Sequence, residues 1–538
     1  MRVAKSCSFC RSRKKRCAPG ATGYPCKECT SRDVKCSLAA EGGQVLRTPH
    51  KTTGRAHHPL LPRSESFVEG SSPLGDFTIQ DVCEQLVDLY FEVVHEKQHI
   101  IFHQPTFVAE QRLGTAPEYL VWGMAAVAAR FSDHSIFSHA PRGERGHVWL
   151  QKAIHSFNCR DDPISISALQ GALLLEFACA VEGNTAQGTL FSAQAIRMAM
   201  VMRLPQLSGT DVVQHEVEIR LYWQVWMMDA WQSARGQYHR QIRDARVVPH
   251  PLEEKAFNNL RGSSYSGTPY RNGLWSAMLP LSEIHYQVML LNDTLCASET
   301  DLHEVAYRVK ELSYELESWH LALPLHLQYT PENTIRHIED NLGRQFSILH
   351  ILYHFQSQLL YFQYLQKDSS SCQNPSLATN DSFYADRCKS HAIAMSQIMW
   401  SLDSTPGMDC FWSPANGHLL VVASSIHLHS LLFDTDEDCI TETRKLLEQN
   451  FVLLLQLEKY WPILKHSMMR LRAFHKTCLC NANPETVFAM DRWMIQFLNR
   501  YETAICDRYG EGEQDDIDWP SLDYVSGIEK LWTRMNNG

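Results

Sequence analysis

Beyond residue 77 apolar side chains recur at helical spacing along most of the chain. Ile79, Val82, Leu86, Leu89, Tyr90 and Val93 follow a polar start at Thr78 and Asp81, which places one apolar stripe along one helix face. The same pattern predicts helices over 117–132, 144–158, 165–181, 185–203, 212–235, 344–366, 382–402, 417–433, 440–458 and 484–502. Alternation of period two is scarce, so a large all-α helical body over 77–510 is the economical fold. Two stretches depart from the pattern. Residues 37–76 contain Gly42, Gly43, Pro49, Gly54, Pro59, Pro62, Gly70 and Pro73 without periodicity; they read as a Gly/Pro-rich linker and hold no heptad run. Residues 511–538 interleave Glu511, Glu513, Asp515, Asp516 and Asp518 with Ile517, Trp519, Leu522 and Tyr524. Such an acidic-aromatic tail suits either a solvated activation segment or a strap packed on the body.

Composition sharpens this division. At 538 residues and 44% hydrophobic, the chain can bury a sizeable core. The net charge of -10 is unevenly spread. Residues 1–63 carry 14 Lys+Arg against 3 Asp+Glu, and the remaining residues carry 36 against 57. A basic head on an acidic body suits a polyanionic partner that meets the head alone. A bilayer span needs roughly 18 consecutive apolar residues. The nearest approach, Leu419 to Phe433, is interrupted by Ser424, Ser425, His427, His429 and Ser430, so no membrane partner is expected.

The chemistry concentrates in the head. Cys7, Cys10 and Cys17 recur 19 residues later as Cys26, Cys29 and Cys36, each half reading C-x2-C-x6-C. Two four-coordinate zinc ions need eight ligand positions, which six thiolates fill if two of them bridge both metals. The segment is too short to bury a core of its own, so metal binding would supply its folding free energy. A disulfide knot is the competing reading, but Met1–Arg16 lacks the apolar run of a secretory leader. The other eleven cysteines are scattered, as buried small hydrophobes of a reducing compartment would be, and the lone Cys478-x-Cys480 is no ligand framework. Between Cys10 and Cys17 stand Arg11, Arg13, Lys14, Lys15 and Arg16, five cations in six positions. A short helix would fan them toward nucleic acid.

With CSFCRSRKKRC, Pro25, CKEC and Cys36, the head resembles the fungal zinc binuclear cluster DNA-binding domain, whose pattern runs CxxCRxRKxKC, a proline loop, CxxC and a last Cys. The resemblance implies two Zn ions held by Cys7, Cys10, Cys17, Cys26, Cys29 and Cys36, with Cys7 and Cys26 bridging. It also implies that Lys14, beside Arg13, reads the guanines of a CGG triplet, a pairing that suits the acceptors of guanine in the major groove. Arg11, Lys15, Arg16, Lys27 and Arg32 suit phosphate contacts. Pro25 stands nearer Cys26 than the family norm, and Ala18 replaces a common Asp or Asn.

The body is similar to the same family's regulatory domain at HIIFHQPTF (99–107), SAQAIRMAMVMRL (192–204) and EIRLYWQVWMMDAWQS (218–233). Arg203 replaces the family's usual Gly there, and Pro205 a frequent His. Trp223, Trp226 and Trp231 read as core or groove aromatics. His95-Glu96-Lys97-Gln98-His99 is an HExxH, the signature of a zinc peptidase when on a helix. Lys97 within it and the family segment that follows favour a plain helix end, so no catalytic residue is assigned and no enzyme is expected.

The expected organisation is a small zinc-stapled N-terminal DNA-binding module at 1–36, a linker at 37–76, an all-α regulatory domain at 77–510 and a tail at 511–538. The resemblance implies a nuclear, sequence-specific transcription factor, an activator by family habit and by its acidic tail; a repressor of the same family, or a zinc metallopeptidase through the HExxH at 95–99, is the alternative. Its partners would be double-stranded DNA and transcription machinery or coactivators. A homodimer and a regulatory small molecule stay open.

Overall fold

The computed structural model describes residues 10, 17, 19–20, 23–32, 79–95, 100–205, 211–236, 239–242, 248–261, 271–296, 301–365, 375–406, 408, 413–434, 436–480, 494–495 and 497. The chain divides into two compact units, Met1–Pro73 and Leu74–Gly538. The linker at 37–76 and the tail at 511–538 lie outside the described residues, as does most of the helix expected over 484–502.

In the first unit two short strands, β1 (Pro19–Gly20) and β2 (Gly23–Cys26), pair antiparallel, with Pro19 opposite Cys26 and Gly20 opposite Gly23. Helix α1 (Lys27–Ser31) follows directly, with Cys26 in extended geometry at its N-cap. Pro25 donates no backbone hydrogen bond and is tolerated here because each strand is an edge. Among the described residues strands are confined to this hairpin.

The second unit is built of helices. In chain order they are α2 (Ile79–Val93), α3 (Gln104–Arg112), α4 (Glu118–Ala128), α5 (His147–Asn158), α6 (Ile166–Val181), α7 (Thr185–Met202), α8 (Val212–Gly236), α9 (Glu254–Asn258) and α10 (Leu274–Leu295). They continue with α11 (Leu302–Leu321), α12 (Pro331–Glu339), α13 (Gly343–Tyr361), α14 (Pro375–Asp403), α15 (Ala415–Phe433), α16 (Glu437–Tyr460) and α17 (Leu464–Cys480). Local chemistry explains many of the starts. Ser165, Asn184, Asp301, Thr330 and Asp436 each accept backbone N–H groups at a helix N-terminus that the helix itself leaves unsatisfied. Apolar faces then bury: α6 packs on α7, α4 on α5, α13 on α14, and α15 on α16 and α17. One hydrophobic core runs from Val82 to Phe497.

Two features tie distant parts of that core together. Arg130 is fully buried; its guanidinium pairs with Glu182 at 2.7 Å, donates to the Tyr460 carbonyl at 3.0 Å and lies 4.4 Å over the Trp461 ring. That one side chain links the ends of α4, α6 and α16. At the close of α7, Arg203 adopts the left-handed conformation (φ 54) while the Leu204 N–H reaches back to the Ala199 carbonyl at 3.2 Å. This is the turn a glycine would close without steric cost, and a non-glycine residue there costs about 1 kcal/mol.

The sequence pattern misses six described helices of the body. The α10 segment carries Pro280 inside the helix, α3 opens on Pro105, and α9 is one short turn. For α12 and α17 the apolar face is narrow against many charged positions. The face of α11, by contrast, is a regular row of Val305, Val309, Leu312 and Leu316, and it too stands outside the predicted set.

Candidate metal centre and nucleic-acid interface

The hairpin and α1 gather thiols that are far apart in sequence. The Cys10, Cys17 and Cys26 sulfurs all lie within 4.8 Å of one another, and Cys10 Sγ is 3.5 Å from Cys26 Sγ. No disulfide joins these three thiols to one another. Ligands about 2.3 Å from one tetrahedral zinc stand roughly 3.8 Å apart, so the cluster fits that ion. Cys29, buried at the third position of α1, is a further thiol beside Cys26. Cys7 and Cys36 lie outside the described residues.

Cys26 is the hub of the group. The Cys29 backbone N–H is the largest influence on its sulfur. Against desolvation, that N–H and the thiols of Cys10, Cys29 and Cys17 lower the Cys26 thiol to about 6. Body cysteines behave oppositely: burial pushes Cys83 up to about 11 and Cys179 up to about 12. A thiol disposed to ionise is a metal ligand in waiting, and one held neutral by apolar packing is inert. Cys478 is likewise buried, on α17.

Of the cations expected to meet DNA, Lys27 begins α1 and Arg32 follows its end, and both are exposed. Exposed cations of this kind suit phosphate contacts. Arg11, Arg13, Lys14, Lys15 and Arg16 lie outside the described residues.

The HExxH does not form a helical ligand pair at its first member. Helix α2 ends at Val93, and His95 turns inward to pack against Phe91 at 5.0 Å and Phe102 at 6.1 Å, with 1% exposure. His95 is a core histidine. Residues 96–99 lie outside the described set.

In the body, the family-like segment of α8 proves to be a brace. Arg220, fully buried, pairs with Glu216 at 3.2 Å and donates to the Leu252 carbonyl at 2.7 Å. The same Glu216 accepts from the Leu252 N–H at 2.7 Å and pairs with Arg271 at 3.3 Å. Trp223 Nε1 donates to the Pro249 carbonyl at 2.8 Å, and Asp229 accepts from the Gln241 and Ile242 N–H groups at 2.8 and 2.7 Å. Glu254 caps α10 through the Leu274 and Trp275 N–H groups; burial raises its carboxyl pKa. A side chain at Gly273 would come within 2.6 Å of that carboxylate. Pattern reading could not find Glu216, Asp229 or Glu254, because their partners stand 12 to 55 residues away. Trp223 and Trp226 are buried, and Trp231 stacks on His285 at 3.8 Å, as core aromatics.

Replacing Arg220 with methionine, which keeps volume but leaves Glu216 without its closest cation, should destabilise the body by about 3–5 kcal/mol. Urea unfolding followed by tryptophan fluorescence measures this, and a loss below about 1 kcal/mol would show that the brace carries little weight.

Residues 87–320 match the fungal specific transcription factor domain. Over 480 residues the chain is 22% identical to the Zn(2)-C6 fungal-type transcription factor FTF1c of Fusarium oxysporum f. sp. lycopersici, covering 80% of this chain and 50% of that protein. Two uncharacterized transcriptional regulatory proteins of Schizosaccharomyces pombe are similar as well. One is 23% identical over 476 residues, 80% of this chain and 56% of its own length; the other is 22% identical over 557 residues, 88% and 78%. The chain spans about half the length of the first of these curated relatives. No helix among the described residues is long and apolar enough to cross a membrane.

Proposed function

We propose that this chain, which carries a fungal specific transcription factor domain after a zinc binuclear cluster motif, is a nuclear, sequence-specific, non-enzymatic regulator of transcription. The observation that carries the reading is the gathering of Cys10, Cys17 and Cys26 around one point, with Cys29 beside them and a run of five cations between the first two. Cys7 and Cys26 bridge two zinc ions in this reading. Cys10, Cys17, Cys29 and Cys36 would hold the two ions together with them. When bound, zinc supplies the folding free energy of a segment too short to bury a core.

Protein residues do the rest. Lys14 and Arg13 read a CGG-type triplet, while Arg11, Lys15, Arg16, Lys27 and Arg32 hold phosphates and set register. The acidic body keeps contact with DNA confined to the head. It gates activity and recruits the transcription machinery or coactivators. The acidic-aromatic composition of 511–538 supports an activator over a repressor.

The test is binding of the zinc-loaded chain to a CGG-containing duplex and to a scrambled one across a salt series. The reading expects a CGG preference that Lys14→Ala lowers by about 1–3 kcal/mol. Loss of a phosphate contact through Lys27→Ala should instead weaken both duplexes alike and reduce the salt slope by about 0.9. Equal affinity for the two duplexes would refute sequence-specific reading.

A further inference from the structure

Helices α3, α6 and α8 leave between them a cavity of about 810 Å³, within the range of small-molecule sites, about 300–1,000 Å³. Its apolar wall is made by Phe102, Phe107, Leu120 and Val217, all buried side chains. Its polar wall holds Thr106, Ser165, Ser167 and Gln214 together with two carboxylates, Glu110 and Asp211. Among the described residues no lysine or arginine lines it.

Three observations select the ligand chemistry. First, the starts of α6 and α8 at the cavity are capped from within the protein. Ser165 Oγ accepts the Ala168 N–H at 3.1 Å, and Asp211 Oδ1 accepts the Val213 N–H at 2.9 Å. At these two starts the usual anion-binding use is therefore taken. Second, His103, buried on the wall with its Nδ1 2.7 Å from Thr106 Oγ1, has its pKa lowered by burial first and then by Arg261. It supplies no positive charge. Arg261 itself is engaged with the Asn258 and Leu260 carbonyls and is not part of the lining. Third, the described lining carries two carboxylates, Glu110 and Asp211, and no lysine or arginine, so a positively charged group is favoured there. The segment FHQPTF, singled out in the sequence, supplies Phe102, His103, Thr106 and Phe107 to this wall.

We infer that this cavity binds an amphipathic small molecule bearing a protonated amine, its apolar part on Phe102, Phe107, Leu120 and Val217 and its ammonium paired with the carboxylates Glu110 and Asp211. The binding stands on the cavity alone. Its use as a regulatory input, through α8, rests on the transcription-regulator reading above.

Fluorescence titration of the full chain with dansylcadaverine, an apolar ring system carrying an amine, tests the inference, with dansylglycine as its carboxylate counterpart. Saturable binding at one site per chain is expected, with dansylglycine weaker by at least about tenfold. Ser167→Trp, which puts a large ring into the lining, should weaken dansylcadaverine by about tenfold or more. Glu110→Gln, at an exposed position where folding is undisturbed, should weaken it by about threefold. Absence of saturable binding, equal affinity for the two probes, or wild-type affinity in both variants would each overturn the inference. Because binding to CGG duplex is measured separately, failure with the probes leaves the DNA-binding reading standing, and the converse holds too.

Discussion

A Cys26→Ala chain is expected to retain at most one zinc ion and to lose specific binding to CGG duplex by at least about a hundredfold. The reason is the position of its sulfur. It lies 3.5 Å from Cys10 Sγ and within 4.8 Å of Cys17 Sγ, and the Cys29 N–H acts on it from the other half-site. A bridging thiolate belongs to both ions, so its loss removes a ligand from each. Structural zinc is worth about 10–16 kcal/mol of folding free energy in small modules, far more than this segment could replace by packing. Cys29→Ala, which removes a ligand from one ion only, should cost less than Cys26→Ala. Cys388→Ala, in a buried apolar site where burial raises the thiol pKa, should leave zinc content unchanged. Metal analysis and duplex titration of the three variants measure this order. Equal zinc content in Cys26→Ala and the unaltered chain would remove Cys26 from the site.

What was legible before the structure follows a physical divide. Helices whose apolar spacing is unbroken were read to within a residue or two: 165–181 against Ile166–Val181, and 212–235 against Val212–Gly236. Helix α14 begins at Pro375, seven residues before the expected 382. Helix α10 was hidden because Pro280 reads as a stop, while tertiary packing carries the helix through it. Among the site residues, the cysteine spacing pointed to the cluster because metal chemistry demands it locally. The hairpin that brings Cys17 to Cys26 left no such trace beyond Pro19, Gly20 and Gly23. The buried charges Arg130, Glu182, Arg220 and Glu216 were invisible for a different reason. A charge pair is defined by two residues that meet only after folding, and nothing in a single stretch of sequence announces its partner.

The helical body should lose stability on the order of 5 kcal/mol between pH 7 and pH 5. Burial depresses His350 and His391 to about 3, and His354, His427 and His475 to about 4. Each is held as a neutral ring: His350 faces the Leu327 carbonyl at 3.0 Å, His427 faces Ser396 Oγ at 2.9 Å, and His354 and His391 meet at 2.9 Å through their Nδ1 atoms. In the unfolded chain a histidine takes up its proton near pH 6.5. The folded pKa values lie below that, so the unfolded state binds more protons in the interval. The stabilisation is complete above pH 6.5 and is lost as pH falls toward 4 and then 3. One independent group contributes about 2 kcal/mol over this interval; the total is taken lower because His350, His354 and His391 act on one another. Glu254 works in the opposite sense, since burial raises its pKa. Urea unfolding at pH 7, 6 and 5 reads the effect through tryptophan fluorescence, which reports the body because residues 1–76 contain no tryptophan. His427→Asn should flatten the profile, and a midpoint that holds or rises on acidification would contradict this assignment.

The most direct test of the two-metal, six-thiolate centre is the mass of the native chain together with the state of its cysteines. The account predicts two zinc ions per chain, with Cys7, Cys10, Cys17, Cys26, Cys29 and Cys36 shielded from thiol alkylation until a chelator removes the metal. A single zinc ion, no zinc, or disulfides among these six cysteines would contradict it.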